Sequence, residues 1–280
     1  MVDPLVFGPT PWVVCSMSQI LQARPAATVL SLRDGPEGYE VLMLRRNLNS
    51  DFVGGAYVFP GGGLDEADAG SAAQRLAFGL DDAEASLRLG LEVGGLAYYV
   101  ACLRELFEEA GLLVACDDTG QPFRFASTAV VHRLAAHRRA VNASTMAFVE
   151  MMDLETTLLD MRGLAYLAHW VTPVGPPRRF DTRFFVALAP NDQTAACDEG
   201  ETIADQWVRP VDALAAHARG DLEMIFPTIR NLQAIAHFDT ARDVLDYANS
   251  LALIPRIEPR VIDRNGEIVV LIPGDDGFED

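Results

Sequence analysis

The 280-residue chain has few basic residues, few cysteines and no long apolar run. Lys and Arg together number 22 against 40 Asp and Glu, which gives a formal net charge of −18. Binding to nucleic acid or to an anionic membrane depends on basic side chains that meet phosphates, so this charge argues against both kinds of partner. No apolar stretch is long enough to span a bilayer, and the N-terminal segment lacks the basic residues of a secretory signal. We therefore expect a cytoplasmic protein.

The cysteines and histidines show no metal-binding or redox spacing. Cys15, Cys102, Cys116 and Cys197 contain no C-x-x-C pair, so we expect free thiols in a reducing compartment rather than a zinc site or a dithiol motif. The histidines also lack a tight spacing, and we expect them to be structural. Hydrophobic residues make up 50% of the chain and are spread along its whole length, which is typical of a folded globular protein.

The pattern of apolar and turn residues predicts an α/β fold. In the first half we predict a hairpin at 26–32 and 39–46, a strand leading into a glycine-rich loop at 54–63, helical structure at 71–90, and a stronger helix at 96–110 that stops at Gly111. In the second half we predict two or three short helices within 126–170, strands at 178–190 and 202–210, a helix at 211–219, one or two helices at 227–253 and a strand at 267–273. Strands and helices alternate without a regular βαβ period, which favours a mixed central sheet with helices packed around it.

The segment RELFEEAG, residues 104–111, concentrates acidic side chains on one helix face. Glu105, Glu108 and Glu109 lie at i, i+3 and i+4, where like charges destabilise a helix, and Arg104 is the one basic residue among them. One interpretation is an ordinary solvated face. The other is a site for a hard divalent cation such as Mg²⁺ or Mn²⁺, which prefers clustered carboxylate oxygens. Upstream, FPGGG at 59–63 offers a backbone that can approach a ligand closely.

Together these two segments resemble the signature of the Nudix hydrolases, in which a glycine, five residues, a glutamate and seven residues precede R-E-(apolar)-x-E-E-x-G-(apolar). Residues 104–112 match the second half without a gap. In the first half, Gly62 and five residues lead to Asp68 instead of glutamate, and 35 residues then precede Arg104. A rival register begins at Gly90 and needs no insertion, but it places Leu96 where the acid should be. We prefer the insertion, because it also accounts for the strand and its Pro-Gly-Gly.

The segments DFVGGAYVFPGGGLDEAD and PRRFDTRFFVALAP further resemble Nudix hydrolases similar to the animal peroxisomal coenzyme A diphosphatase, which also carry a long insertion inside the signature. The resemblance covers roughly residues 25–235. It implies a single Nudix domain over 1–280, an α/β/α sandwich with helical insertions near 69–100 and 126–170, and leaves the packing of the tail 255–280 unassigned.

The activity that this resemblance implies is Mg²⁺- or Mn²⁺-dependent hydrolysis of a diphosphate. The leading substrate is coenzyme A or an acyl-coenzyme A, which would yield adenosine 3′,5′-bisphosphate and 4′-phosphopantetheine or its acyl derivative. One alternative is another diphosphate, namely ADP-ribose, NADH or a dinucleoside polyphosphate. The other is a non-catalytic Nudix domain that binds a nucleotide or a protein partner.

The resemblance also implies roles for individual residues. Glu105, Glu108, Glu109 and the carbonyl of Gly62 would bind the metal, and Arg104 would orient the glutamates. Glu201 would be the general base, with Glu199 and Glu105 as alternatives. Arginine binds phosphate bidentately, so the candidate substrate contacts are Arg45, Arg46, Arg179 and Arg183, although each also suits a surface position or an ion pair. The expected partner is a small nucleoside diphosphate derivative, and a homodimer is left open because the inserted segments could form a dimer contact.

Overall fold

The computed structural model describes residues 6–7, 21–49, 54–264 and 267–278. One sequence prediction, the free thiol of Cys15, lies outside these residues. The strands are β1 (Val6–Phe7), β2 (Arg24–Gly35), β3 (Gly38–Arg46), β4 (Tyr57–Val58), β5 (Gly61–Gly63), β6 (Ala77–Phe78), β7 (Ala115–Cys116), β8 (Leu158–Asp160), β9 (Leu164–Val171), β10 (Phe180–Leu188), β11 (Thr202–Val208), β12 (Arg256–Ile257), β13 (Arg260–Arg264) and β14 (Glu267–Leu271). The helices are α1 (Ser71–Leu76), α2 (Asp82–Leu89), α3 (Leu96–Ala110), α4 (Thr128–Asn142), α5 (Phe148–Glu155), α6 (Pro210–Arg219), α7 (Phe226–Ile235) and α8 (Ala241–Ser250), with short 3₁₀ turns at Glu66–Ala69 and Met161–Gly163.

The central sheet is mixed, as the sequence predicts. Its strand order is β11-β3-β2-β10-β9-β12, with β4 added to β3 and β5 added to β2. Strand β2 pairs with β3 in the predicted hairpin and runs parallel to β10 along nine residue pairs. Near its beginning, β2 pairs with the glycine strand β5 instead of β3. This exchange of partners makes β5 part of the sheet next to β2, where it contacts α3.

Helices cover both faces of this sheet and make an α/β/α sandwich, which confirms the predicted fold class. Residues alternate between the two faces along each strand. Val29, Leu44 and Phe185 pack against α3 in one core. Leu30, Met43 and Val186 belong to a second core on the opposite face, to which α6, α7 and α8 contribute. Since nearly every residue of α3 is buried, the rotation of this helix about its own axis is fixed by packing.

Two predictions between residues 54 and 90 are wrong in part. The glycine-rich segment is a strand rather than a loop, because Gly61–Gly63 pairs in register with Ala26–Thr28 of β2. The helical structure predicted for 71–90 is interrupted, since Ala77 and Phe78 pair with β8 and Gly79 follows with φ +83°. The second helix then begins afresh, with the Asp81 carboxylate accepting a hydrogen bond from the amide of Glu84.

The prediction of short helices for 126–170 is right for α4 and α5 and wrong for its last part. Residues 164–171 form β9, a strand of the central sheet. Almost every residue of β9 is buried, because both of its faces are covered, and the alternation that marks a half-exposed strand is therefore absent.

The predictions for 178–253 are confirmed by β10, β11, α6, α7 and α8. The strand predicted near the C-terminus is β14, and it pairs with β13 and β1 in a small separate sheet rather than with the central sheet. Cys102, Cys116 and Cys197 are free. In the part of the chain that the structure describes, no helix is long and apolar enough to cross a bilayer.

Candidate functional site

The acidic residues singled out in the sequence lie on the last two turns of α3. This helix spans 96–110 as predicted, and Gly111 ends it in the left-handed conformation at φ 71°. Burial of Leu103, Leu106 and Phe107 in the core turns the remaining face, with its glutamates, toward β5. There the carboxylate of Glu109 accepts a hydrogen bond of 3.0 Å from the amide of Gly61. The helix thus aligns its acidic face with the glycine strand.

Arg104 organises these carboxylates. Its Nη1 donates to Glu105 at 2.8 Å and to Glu108 at 3.0 Å, while its Nη2 donates to the carbonyl of Gly63 at 2.8 Å. Nε and Nη2 donate to the two carboxylate oxygens of Asp68, each at 3.0 Å. The guanidinium group is buried, so these charge-assisted bonds are shielded from water. One arginine therefore fixes the positions of three acidic side chains.

The contact between Arg104 and Asp68 agrees with the register that begins at Gly62, because that register joins Asp68 to the segment of Arg104. Asp68 is 2% exposed and lies 36 residues before Arg104. In the rival register, Gly90 would have to approach the site, but it ends α2, and a Cβ at this position would meet no atom within 4 Å. Leu96 is part of the hydrophobic core. The position of Asp68 beside Arg104 thus favours Gly62 and Asp68 as the first half of the Nudix-like signature.

Gly62 allows β5 to lie close to Glu105 of α3. A Cβ atom at this position would lie 2.4 Å from Oε1 of Glu105, closer than real Cβ contacts come. The neighbouring Gly63 is different, since the nearest atom to its Cβ position would be 3.9 Å away. The absence of a side chain at residue 62 is therefore what permits Glu105 to lie against the strand.

The buried carboxylates are short of positive charge. Burial raises the pKa of Glu105 to about 7, and it raises the pKa of Glu109 well above its ordinary value, with Glu105 and Glu201 as further causes for Glu109. The pKa of Glu108 is also raised by burial, against the opposing charge of Arg104. The site would be stabilised by additional cationic charge.

Glu201 lies on the loop before β11 and faces this cluster. Its carboxylate accepts a hydrogen bond of 2.9 Å from Arg46 and remains about half exposed. Asn47 holds the same loop through its amide, which donates to the carbonyl of Glu201 at 2.9 Å, and through its side chain, which donates to Gly200 at 3.0 Å. Glu199 has φ 61°, an uncommon conformation for a residue with a side chain. The loop is thereby held at the end of β3.

The two candidate arginines at the end of β3 point to opposite faces of the sheet. Arg46 lies on the same side as Leu44, which packs with α3, and it forms the ion pair with Glu201. Arg45 lies on the other side, where its Nε donates to Gly55 at 3.3 Å and its guanidinium lies over the ring of Tyr57. The structure brings Arg46 to the acidic cluster and directs Arg45 away from it.

The two candidate arginines of β10 and its preceding loop are engaged elsewhere. Arg179 donates through Nε to the carbonyl of Thr172 at 3.0 Å, through Nη1 to Leu21 at 2.7 Å and through Nη2 to Glu258. Arg183 lies over the ring of Tyr98, two helical turns before Glu105, at 4.3 Å from the ring centroid.

The donor atoms of the cluster suit a divalent cation. Among residues 6–7, 21–49, 54–264 and 267–278, no group of three or more His, Cys, Asp or Glu is arranged to hold a metal ion. Even so, the available donors are carboxylates and backbone carbonyls, which hard cations prefer. The cluster holds five acidic residues, namely Asp68, Glu105, Glu108, Glu109 and Glu201, whereas Arg46 and Arg104 form the ion pairs with them that the described residues show. We conclude that the residues fit a divalent cation by chemistry and charge.

Three residues of this region were not anticipated from the sequence. Asn47 fastens the loop of Glu201, while Arg138 and Asn142 of α4 both donate to the carbonyl of Glu108. The sequence carries no signal for the contacts of α4, because they depend on how two helices separated along the chain pack together.

Comparison with known proteins connects this geometry to a family. The model of the NUDT19 Nudix domain matches residues 73–235, a span that includes α3 and Glu201. The acyl-coenzyme A diphosphatase NUDT19 of Homo sapiens is 27% identical over an alignment of 304 positions, and the match covers 96% of this chain and 81% of that protein. The acyl-coenzyme A diphosphatase NUDT19 of Xenopus laevis is 25% identical over an alignment of 284 positions, and the match covers 90% of this chain and 75% of that protein. The crystal structure of a NUDIX hydrolase from Alicyclobacillus acidocaldarius has a TM-score of 0.64 and 28% identity, and the match covers 86% of this chain and 100% of that one.

Proposed function

The chain belongs to the NUDT19 Nudix domain family and is a Nudix diphosphatase, and on this premise we propose that it hydrolyses coenzyme A or an acyl-coenzyme A with the help of Mg²⁺ or Mn²⁺. The observation that carries the proposal is the arrangement of Glu105, Glu108 and Glu109 around Arg104, beside a glycine strand that leaves room for them. The products would be adenosine 3′,5′-bisphosphate and 4′-phosphopantetheine or its acyl derivative.

Glu105, Glu108, Glu109 and the carbonyl of Gly62 would hold the divalent cation. Such a cation withdraws electrons from phosphate oxygens and acidifies bound water. Arg104 keeps Glu105 and Glu108 in fixed positions, so that little rearrangement is needed when a substrate arrives. The amide of Gly61 keeps the Glu109 carboxylate in a fixed position through its hydrogen bond.

Glu201 is our proposed general base. Hydrolysis forms a P–O bond to water, breaks a P–O bond of the diphosphate bridge and transfers a proton from the water to the base. Glu201 is about half exposed, which gives water access, and it is near enough to Glu105 and Glu109 to raise the pKa of both. Glu199 lies two residues away on the same loop, and Glu105 belongs to the cluster itself; these remain the alternative bases.

Arg46 is the phosphate contact that the structure favours among the candidates. Arg46 shares the cluster's face of the sheet. The Glu201 carboxylate that it binds is about half exposed, so a phosphate could compete with that carboxylate for Arg46. Arg45 lies on the opposite face, and the guanidinium nitrogens of Arg179 are occupied by carbonyls and Glu258. The relatives named acyl-coenzyme A diphosphatase support the substrate class.

The experiment is a product analysis with Mg²⁺ or Mn²⁺ in which coenzyme A, an acyl-coenzyme A, ADP-ribose, NADH and diadenosine polyphosphate are offered separately. The Glu108→Gln protein serves as the blank. Formation of adenosine 3′,5′-bisphosphate as the preferred reaction supports the proposal. Preferential cleavage of ADP-ribose, NADH or the dinucleotide would replace coenzyme A as the substrate, and absence of any cleavage would favour a domain that binds without catalysis.

A further inference from the structure

Helix α4 donates hydrogen bonds to the end of α3 that carries Glu108 and Glu109. The last carbonyls of a helix have no partner within it and need one elsewhere. The carbonyl of Glu108 receives two, since Arg138 donates its Nε at 2.9 Å and Asn142 donates its Nδ2 at 3.1 Å. The two donors are four residues apart on α4 and therefore lie on the same face. The positive charge of Arg138 also complements the negative end of the helix dipole.

The same helix end is joined to the segment that leads to Glu201. The amide of Ala196 donates to the carbonyl of Ala110 at 3.0 Å. Three residues earlier, the side chain of Gln193 exchanges two hydrogen bonds with the backbone of Leu113, at 2.7 and 2.9 Å. These bonds fasten the end of α3 and the loop of Glu201 to each other.

Arg138 lies between the end of α3 and the loop of Glu201. It lines a cleft of about 150 Å³ between α4 and the loop, together with Arg139, Asn142, Cys197, Asp198 and Glu199. Two basic and two acidic side chains offset each other there, and the Asp198 carboxylate already accepts bonds from the amides of Glu201 and Thr202. The cleft therefore lacks the excess of positive charge that an anion site needs.

We propose that Arg138, assisted by Asn142, is a positioning residue that fixes the last turn of α3 relative to the loop of Glu201. It acts through the backbone of Glu108, and the inference rests on the proposed function. The Nε bond to Glu108 positions the Arg138 side chain, and its buried Nη2 has no hydrogen-bond partner among the described residues. A misplacement of about 1 Å at a catalytic group lowers turnover about 10²-fold.

The test compares Arg138→Gln with Arg139→Gln, a matched change at an exposed arginine of the same cleft. We expect Arg138→Gln to lower kcat about 10- to 100-fold while KM stays within about twofold. Arg139→Gln should change neither. Arg138→Lys retains one charged donor and should recover part of the turnover. Asn142→Ala removes the weaker of the two bonds and should lower kcat less; these two variants carry the test should Arg138→Gln not fold.

Amide hydrogen exchange supplies a measurement that needs no substrate. Arg138→Gln should increase exchange in residues 107–113 and 195–201 of the full chain, and Arg139→Gln should not. Unchanged turnover and exchange in Arg138→Gln would overturn the proposal. So would a rise in KM at constant kcat in both variants, since that indicates an anion contact. Failure of the proposed function appears separately, as the absence of diphosphate cleavage by the unmodified protein.

Discussion

Replacement of Gly62 by alanine tests the approach of β5 to α3 most directly. The new Cβ would lie 2.4 Å from Oε1 of Glu105, whereas ordinary contacts begin at 3.4 Å, so the carboxylate must retreat. That retreat is about 1 Å, which we expect to lower kcat about 10²-fold. The group that moves is the free end of a flexible side chain, and we expect the free energy of unfolding to fall by less than about 2 kcal/mol.

The strand itself offers two controls. Gly63→Ala meets its nearest atom at 3.9 Å and should retain normal turnover and stability. Gly61→Ala would place its Cβ 2.6 Å from the carbonyl of Ala27, a backbone atom of β2 that cannot retreat alone, so it should reduce stability. The assays are steady-state hydrolysis of the preferred diphosphate and thermal unfolding. Normal turnover in Gly62→Ala, or an equal loss in Gly63→Ala, would refute the steric argument.

Three further changes probe the acidic cluster. Glu108→Gln should abolish turnover at unchanged thermal stability, because it removes one carboxylate charge at nearly constant shape; normal Mg²⁺-dependent rates would remove Glu108 from the site. Glu201→Gln should lower kcat more than it raises KM and should alter the pH–rate profile, and an unaltered profile would point to Glu105 or Glu199 as the base. Asp68→Asn breaks a buried ion pair and should lower the free energy of unfolding by about 3 kcal/mol in denaturant titrations. The exposed Asp65 gives the control, since Asp65→Asn should change it by less than about 1 kcal/mol.

The sequence predicted the acidic helix well, because its signals are local. An apolar stripe sets the face that packs on the sheet, and Gly111 supplies the left-handed residue that ends the helix. Strand β9 was missed for the opposite reason. LAYLAHWV is buried on both faces by elements distant along the chain, and its continuous apolar run resembles that of a buried helix.

The arginines show which contacts near the site can be predicted from the sequence and which cannot. Adjacent residues of a strand point to opposite faces, so Arg45 and Arg46 could have been separated by the alternation of β3 alone. The partners of Arg179 could not have been predicted, since Leu21 and Glu258 approach it only in the folded chain. The contact of Arg138 could not have been predicted either, because it arises from the packing of α4 against α3.

The contact between Asp68 and Arg104 also closes a long segment of the chain. Closing a flexible loop of 35 residues instead of seven raises the entropic cost by about 1.4 kcal/mol, since that cost grows only with the logarithm of length. The two charge-assisted hydrogen bonds between Asp68 and Arg104 stabilise the folded chain enough to offset this entropic cost. The intervening residues also fold into α1, α2 and the first half of α3. The acidic site therefore keeps its geometry through this contact and the packing of the intervening helices, although its two halves lie far apart along the chain.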